Sequence, residues 1–185
     1  VSRKQLPWSR ALQWTQDGKY DALYSAWYRQ DREEFFAFSE PLPGNELVLF
    51  KRKNSDISFK TYADLKPYKI GIVRGYANPP GFDEAGLMLE AVTSDKQNLL
   101  KLAGSRIDLV LADKALGNYV LATEMPSAKG ALIDWIEPPL AVEKQYLMFS
   151  KKATDYMKKK EDFDRGLKLI TDSGKLQSII DKHGL

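Results

Sequence analysis

Three short runs, Gly18-Lys19-Tyr20-Asp21-Ala22, Asp31-Arg32-Glu33 and Phe38-Ser39-Glu40-Pro41, set one arginine between a turn and a strand that ends in proline. A guanidinium presents a planar fork of N–H donors that fits a carboxylate through two parallel hydrogen bonds, so an arginine framed in this way is a receptor for a small carboxylate. The same residues have a second reading. Asp31, Arg32, Glu33 and Glu34 also make a solvated helix start, with acidic residues near its positive end. Both readings remain open on these residues alone.

Composition narrows the chemistry. The 185 residues contain no cysteine and one histidine, which removes disulfides, thiolate metal sites, cysteine nucleophiles and most metal or acid–base constellations. No cofactor and no metal are therefore expected, and His183, two residues from the end, reads as a solvated helix-end residue. The 28 basic and 25 acidic residues leave a net charge of +3, with lysines spread along the chain. The densest cluster, Lys158-Lys159-Lys160, runs into Glu161, Asp162 and Asp164, so it reads as a solvated helix face and not as a nucleic-acid stripe. No apolar run is long enough to span a bilayer, and the first residues show no signal-peptide pattern, which is also what removal of such a segment leaves.

The elements that must position Arg32 follow from periodicity and turn chemistry. Pro7 to Gln16 reads as a helix with Pro7 in its first turn and Gly18 as its stop. Ala22 to Tyr28 is extended and aromatic, and Glu46 to Arg52 is a strand around Leu47-Val48-Leu49-Phe50. Tyr62 to Leu65 is a single helical turn. Lys69 to Val73 is a buried-type strand that runs into Arg74-Gly75-Tyr76, and open α/β sheets place ligands outside such carboxyl ends. A short strand at Ala91 to Thr93 leads to a capping box, Ser94-Asp95-Lys96-Gln97, in which the Ser94 hydroxyl and the Gln97 side chain serve reciprocal backbone donors. The helix it opens ends at Gly104. Ile107 to Leu111 is the next strand, closed by Ala112-Asp113, and a helix from Ala115 to Thr123 follows. Strands are expected at Ala131 to Ile136 and at Tyr146 to Ser150, and amphipathic helices at Asp155 to Thr171 and Lys175 to Lys182. The alternation of strand and helix argues for an α/β sheet.

Taken in order, these runs, with Trp8-Ser9-Arg10-Ala11, Asp64-Leu65-Lys66, Ile70 to Gly75, Arg106-Ile107-Asp108, Asp113 and Ser173-Gly174, resemble the extracytoplasmic solute-binding proteins of family 3, the amino-acid type that feeds ABC importers. The resemblance covers almost the whole chain. It implies a two-lobe, type II periplasmic binding protein-like fold whose cleft closes on solute by hinge motion. Lobe one would be residues 1–46 with 150–185, lobe two residues 51–145, and the crossings would lie near 47–50 and 145–149. Family members carry a strand, a helix and a second strand before the segment resembling Pro7 to Gly18. Lobe one is therefore expected to be N-terminally incomplete, with an exposed sheet edge that invites self-association.

The resemblance also implies roles. The arginine resembling Arg32 holds the solute's α-carboxylate, and the aspartate resembling Asp113 receives its ammonium group, one from each lobe; Asp113 has the alternative of a helix N-cap before Lys114. Ser25, Trp27 and Tyr28 precede Arg32 where family members place groups around the carboxylate, with core packing as the alternative for one of the two aromatics. The glycine of Arg74-Gly75-Tyr76 is followed by Tyr76 where the family pattern has threonine or serine, and Arg74 is either a second cation at the site or a surface residue, which opens the way to an anionic or unusual solute. The expected function is capture of a small polar solute, an amino acid or related carboxylate, and its delivery to a membrane permease from the periplasm, without enzymatic activity. The alternatives are a solute-sensing domain of a signalling or cell-wall protein and, more remotely, a dehydratase using Asp113 with Glu40 or Asp83.

Overall fold

The computed structural model describes residues 1–183. The chain divides into two compact units. Unit one comprises residues 1–6, 10–44 and the chain from Lys144 onward; unit two comprises residues 7–9 and 45–143. Two long strands carry the chain between them, β3 (Leu42–Arg52) outward and β8 (Ala141–Ser150) on the return.

Unit two is built on parallel strands. β4 (Lys69–Val73) pairs in parallel with β5 (Met88–Val92) on one side and with β6 (Leu109–Asp113) on the other. Parallel neighbours need a crossover, and α2 (Asp95–Ala103) supplies it between β5 and β6. β3 runs antiparallel to β6, with Leu47 opposite Asp113, and also pairs with β7 (Ile133–Trp135). Leu47, Val48, Leu49 and Phe50 are all buried, so β3 is covered on both faces and reads as a continuous apolar run and not as an alternating one. One face packs Val48 and Phe50 with Leu99 and Leu102 of α2, Val110 and Ala112 of β6, and Val120 of α3 (Lys114–Thr123).

Unit one is antiparallel. β1 (Ala22–Trp27) and β2 (Phe36–Phe38) both pair with β8, with Leu23 opposite Met148 and Ala37 opposite Phe149. The α1 helix (Trp8–Gln16) closes at Gly18, whose φ of +81° is the left-handed stop that glycine adopts without a Cβ penalty. The α5 helix (Tyr156–Asp172) turns Phe163, Leu167 and Ile170 to one face, and Phe163 meets Phe149 of β8 at 6.1 Å between ring centroids. The α6 helix (Lys175–His183) ends the described chain; the His183 side chain lies outside the described residues.

Most expected elements form, but β3, β5 and β8 start four, three and five residues before the positions expected, and three further features differ. Residues expected to open a strand at Ala131 instead complete the turn α4 (Ser127–Gly130): the Ala131 N–H donates to the Ser127 carbonyl at 2.9 Å and the Leu132 N–H to the Lys129 carbonyl at 3.2 Å. Those donors are spent on helical bonds, so β7 starts only at Ile133. In the capping box, Ser94 Oγ accepts from the Gln97 N–H, but Gln97 Oε1 accepts from Thr93 N and Thr93 Oγ1 at 3.2 and 3.0 Å, one residue upstream of the Ser94 N–H expected. β2 was not expected as a strand; its three residues are too few for periodicity to register.

Two substitutions test this packing. Gly117 lies where a Cβ would overlap the Phe50 ring, so Gly117→Ala should cost about 1–3 kcal/mol in chemical denaturation, as overpacking of a close-packed core does. Unchanged stability would contradict the docking of α3 on β3. Ser25 holds φ +61° at the register shift of β1, a conformation that costs a non-glycine residue about 1 kcal/mol or more; Ser25→Gly should raise the denaturation midpoint.

Candidate functional site

In unit one the arginine is built into a single 3-10 turn, Gln30–Arg32, whose backbone closes through the Arg32 N–H to the Arg29 carbonyl at 3.0 Å. The turn separates its charges by side. Arg29 pairs with Asp31 in the open, and Glu33 and Glu34 are exposed, whereas Arg32 is 7% exposed. Its Nη1 donates to the Trp27 carbonyl at 3.2 Å. Burial first, and then the Arg29 charge, hold the guanidinium below its ordinary pKa, with Asp31 opposing. The solvated-helix reading therefore fits Asp31, Glu33 and Glu34 but not Arg32.

Around it, Trp27 is half-buried and Ser25 is exposed. The Tyr28 ring is half-exposed and packs on Phe38 and Tyr146, with centroids 5.2 and 6.4 Å away. A hydrogen bond with the Glu33 carboxylate raises the pKa of the Tyr28 phenol. Arg32, Trp27 and Tyr28 are thus gathered at one end of β1.

In unit two the parallel strands β4 and β6 bring their carboxyl ends to one side. Asp113 ends β6 and caps α3, its Oδ1 accepting the Leu116 N–H at 2.6 Å. The helix-cap role is thereby filled by one oxygen. Lys114, next in the chain, is engaged elsewhere: its Nζ donates to Glu46 and Glu137, both at 2.8 Å, and lies 5.2 Å from the Trp135 ring.

The loop after β4 carries Arg74, Gly75 and Tyr76. Pro7–Ser9 belong to unit two and hold this loop by its backbone: Trp8 Nε1 donates to the Gly75 carbonyl at 2.7 Å and Ser9 Oγ to the Arg74 carbonyl at 3.0 Å. The Arg74 side chain is exposed. Tyr76 is half-buried, stands edge-on to Trp8 at 5.6 Å, and donates its hydroxyl to Asp95 Oδ2 at 3.1 Å. Burial, and then the negative charge of Asp95, push the Tyr76 phenol well above its ordinary pKa. Burial pushes the Asp95 carboxyl up to about 6, with the Tyr76 hydrogen bond opposing and the Asp113 charge adding to it.

Of the seven residues named from the sequence, Arg32, Trp27, Tyr28 and Ser25 stand on unit one, and Asp113, Arg74 and Tyr76 on unit two. Sequence reasoning passed over Asp95, which it used only as part of a helix start. The signal was present: Asp95, Asn98, Leu99 and Leu102 share one helical face, and two of those four inward positions are polar. Glu40 is exposed and its backbone N–H donates to Asp164, while Asp83 accepts from Asn78 Nδ2 at 2.7 Å. No hydrogen bond among the described residues joins Asp83 to Asp113. A groove of about 440 Å³, lined by Val92, Gln97, Leu100, Lys101, Arg106 and Lys129, contains none of the seven. Among the described residues no cluster of His, Cys, Asp or Glu is arranged to hold a metal ion, and no helix is long and apolar enough to cross a membrane.

Solved structures share this architecture. The arginine-, lysine-, histidine-binding protein ArtJ of Geobacillus stearothermophilus superposes with a TM-score of 0.81 at 21% identity, covering 98% of this chain and 77% of that one. A mutant of ArgBP from T. maritima gives 0.80 at 22% identity over 97% of this chain and 75% of that one. A histidine kinase sensor domain with similarity to periplasmic binding proteins gives 0.82 at 18% identity over 95% and 75%. At these identities the likeness is one of fold, the type II periplasmic binding protein fold. No curated protein sequence matches the chain. The family model of the bacterial extracellular solute-binding proteins, family 3, matches residues 1–185 from end to end, and the chain belongs to that family.

Proposed function

We propose that this solute-binding chain takes a small polar solute, an amino acid or a related carboxylate, outside the cytoplasm and delivers it to the membrane permease of an ABC importer. Each unit serves as one lobe. The observation that carries the reading is the placement of Arg32: a planar guanidinium fork, 7% exposed and bonded to the Trp27 carbonyl beside Tyr28, has the donor geometry that suits a carboxylate. Asp113 supplies the complementary charge. One of its oxygens caps α3, and the carboxylate remains an acceptor for the solute's ammonium group. Ser25, Trp27 and Tyr28 surround the carboxylate end, and Arg74 and Tyr76 the loop that follows β4. The ArtJ and ArgBP likenesses support an amino acid as the solute class. The family is one of solute-binding proteins, and no enzymatic step is assigned.

A second reading keeps the same site and changes the outlet. The histidine kinase sensor domain shares the fold as fully as the transport proteins do, so the chain can serve as the solute-reading domain of a signalling protein. The reading of solute by Arg32 and Asp113 is common to both.

Titration calorimetry against the twenty amino acids and a set of small carboxylates tests the site. Arg32→Ala removes a charge-assisted pair, and a hydrogen bond to a charged group contributes about 1.5–3 kcal/mol, so affinity for the best-bound solute should fall by about ten- to a hundredfold. Asp113→Asn keeps a good N-cap residue and removes only the charge. It should weaken solutes that carry an ammonium group and spare carboxylates that lack one. Unaltered affinity in both variants would sink the assignment.

A further inference from the structure

The inward face of α2 is polar where it meets the end of β4. Asp95 is 6% exposed and Asn98 is 0% exposed. Asp95 Oδ2 takes the Tyr76 hydroxyl, but Asp95 Oδ1 and both amide atoms of Asn98 are buried without a hydrogen-bond partner among the described residues. The Asn98 amide lies against the backbone of Gly71 in β4, where a Cβ would collide with it. A strip of polar atoms therefore runs under β4 from Gly71 to the Tyr76 loop, in a layer otherwise filled by Leu99, Leu102 and Ile107.

The charges facing Asp95 are of its own sign or weaker. Tyr76 comes from the loop after β4 and Asp113 from the end of β6, and Asp113 disfavours a second carboxylate nearby. The cations of neighbouring elements are turned to other partners: Lys96 to Glu124, Lys101 to Glu90, and Lys114 to Glu46 and Glu137. Lys129 of α4 lies on the groove with Lys101 and Arg106. Among the described residues Asp95 forms no ion pair. An apolar residue would fill its place at lower cost, because a buried carboxylate with one donor forfeits most of its hydration.

We propose that Asp95 is a positioning residue for the solute: its carboxylate fixes the Tyr76 phenol against Trp8 at the end of β4, reinforces Asp113 against the solute's cationic group, and couples solute binding to proton release. The inference rests on the function proposed above. When Asp95 is ionised, Tyr76 donates a charge-assisted hydrogen bond and two carboxylates face an incoming ammonium or guanidinium group. When it is protonated, that hydrogen bond weakens and one negative charge is lost. Affinity for a cationic or zwitterionic solute therefore rises with pH as the carboxyl gives up its proton, and solute binding itself drives the proton off.

The stability linkage has the opposite sign. Burial raises the folded-state pKa of Asp95 to about 6, above its unfolded value, so the folded state holds the proton more tightly and stability falls as pH rises through that window. Asp95→Asn removes the cost and should melt at a higher temperature at pH 7.5 while binding solute more weakly.

Two measurements on the whole chain decide the matter. In the solute-free protein, the Asp95 carboxyl and Tyr76 ring carbons, followed by NMR, should titrate together near pH 6, and the Tyr76 transition should vanish in Asp95→Asn. A Tyr76 signal that ignores the Asp95 titration overturns the coupling whether or not any solute binds. In calorimetry with L-arginine and L-glutamine at pH 5 and pH 8, wild-type affinity should rise by about five- to tenfold, up to the equivalent of one pKa unit. Asp95→Asn should flatten that rise, and Tyr76→Phe, which keeps the carboxylate but removes its one donor, should displace it to higher pH. A rise that persists unaltered in Asp95→Asn overturns the positioning role. If neither probe nor any amino acid binds at any pH while the NMR coupling holds, the proposed function and with it the solute-positioning role of Asp95 fail, and only the Tyr76–Asp95 hydrogen bond stands.

Discussion

The parallel pairing of β4 with β6 is the constraint on which the chemistry of unit two depends. Parallel strands share a direction, so both carboxyl ends arrive at one side of the sheet, and the loops that follow them are neighbours whatever their separation in sequence. Tyr76 and Asp113 are brought into one electrostatic neighbourhood in this way, and the α2 crossover that makes the pairing possible brings its own first turn, with Asp95, to the same side. The loop itself is fixed by its backbone carbonyls, through Trp8 and Ser9, which leaves the side chains of Arg74 and Tyr76 available for other work.

Each unit takes an ionisable side chain out of water. Arg32 is buried in unit one and Asp95 in unit two, and among the described residues Asp95 forms no ion pair. Such burial is unfavourable in itself and is found where a ligand or a proton completes the arrangement. The exposed ion pairs of the molecule, such as Lys168 with Asp172 on α5, contribute far less to this pattern, because water screens them.

Much of the architecture was legible in the chain. The run Leu47 to Phe50, the strand Ile70 to Val73 and the capped helix after Ser94 are strong local signals, and each formed close to where periodicity and turn chemistry placed it. The short elements were less legible. β2 has three residues and is held by its pairing with β8, and α4 exists because Pro126 opens a turn whose carbonyls capture the donors that a strand would need. Of the proposed site, Arg32 and Asp113 were visible as residues in a recognisable order. Asp95 was masked, because a carboxylate in the first turn of a helix already has an ordinary explanation in the helix dipole.

By itself the sequence determined the element types, the alternation that makes the sheet, the exclusion of thiol chemistry, and the positions of Arg32 and Asp113, since all of these follow from local propensity and residue type. The tertiary structure decided what those side chains face. Whether Arg32 lay in water or out of it, whether the Asp113 cap was real, and whether Tyr76 pointed to solvent or to a buried carboxylate depended on contacts between residues far apart in the chain. Burial and hydrogen-bond partnership are properties of a packed neighbourhood, and no stretch of chain carries its neighbourhood with it.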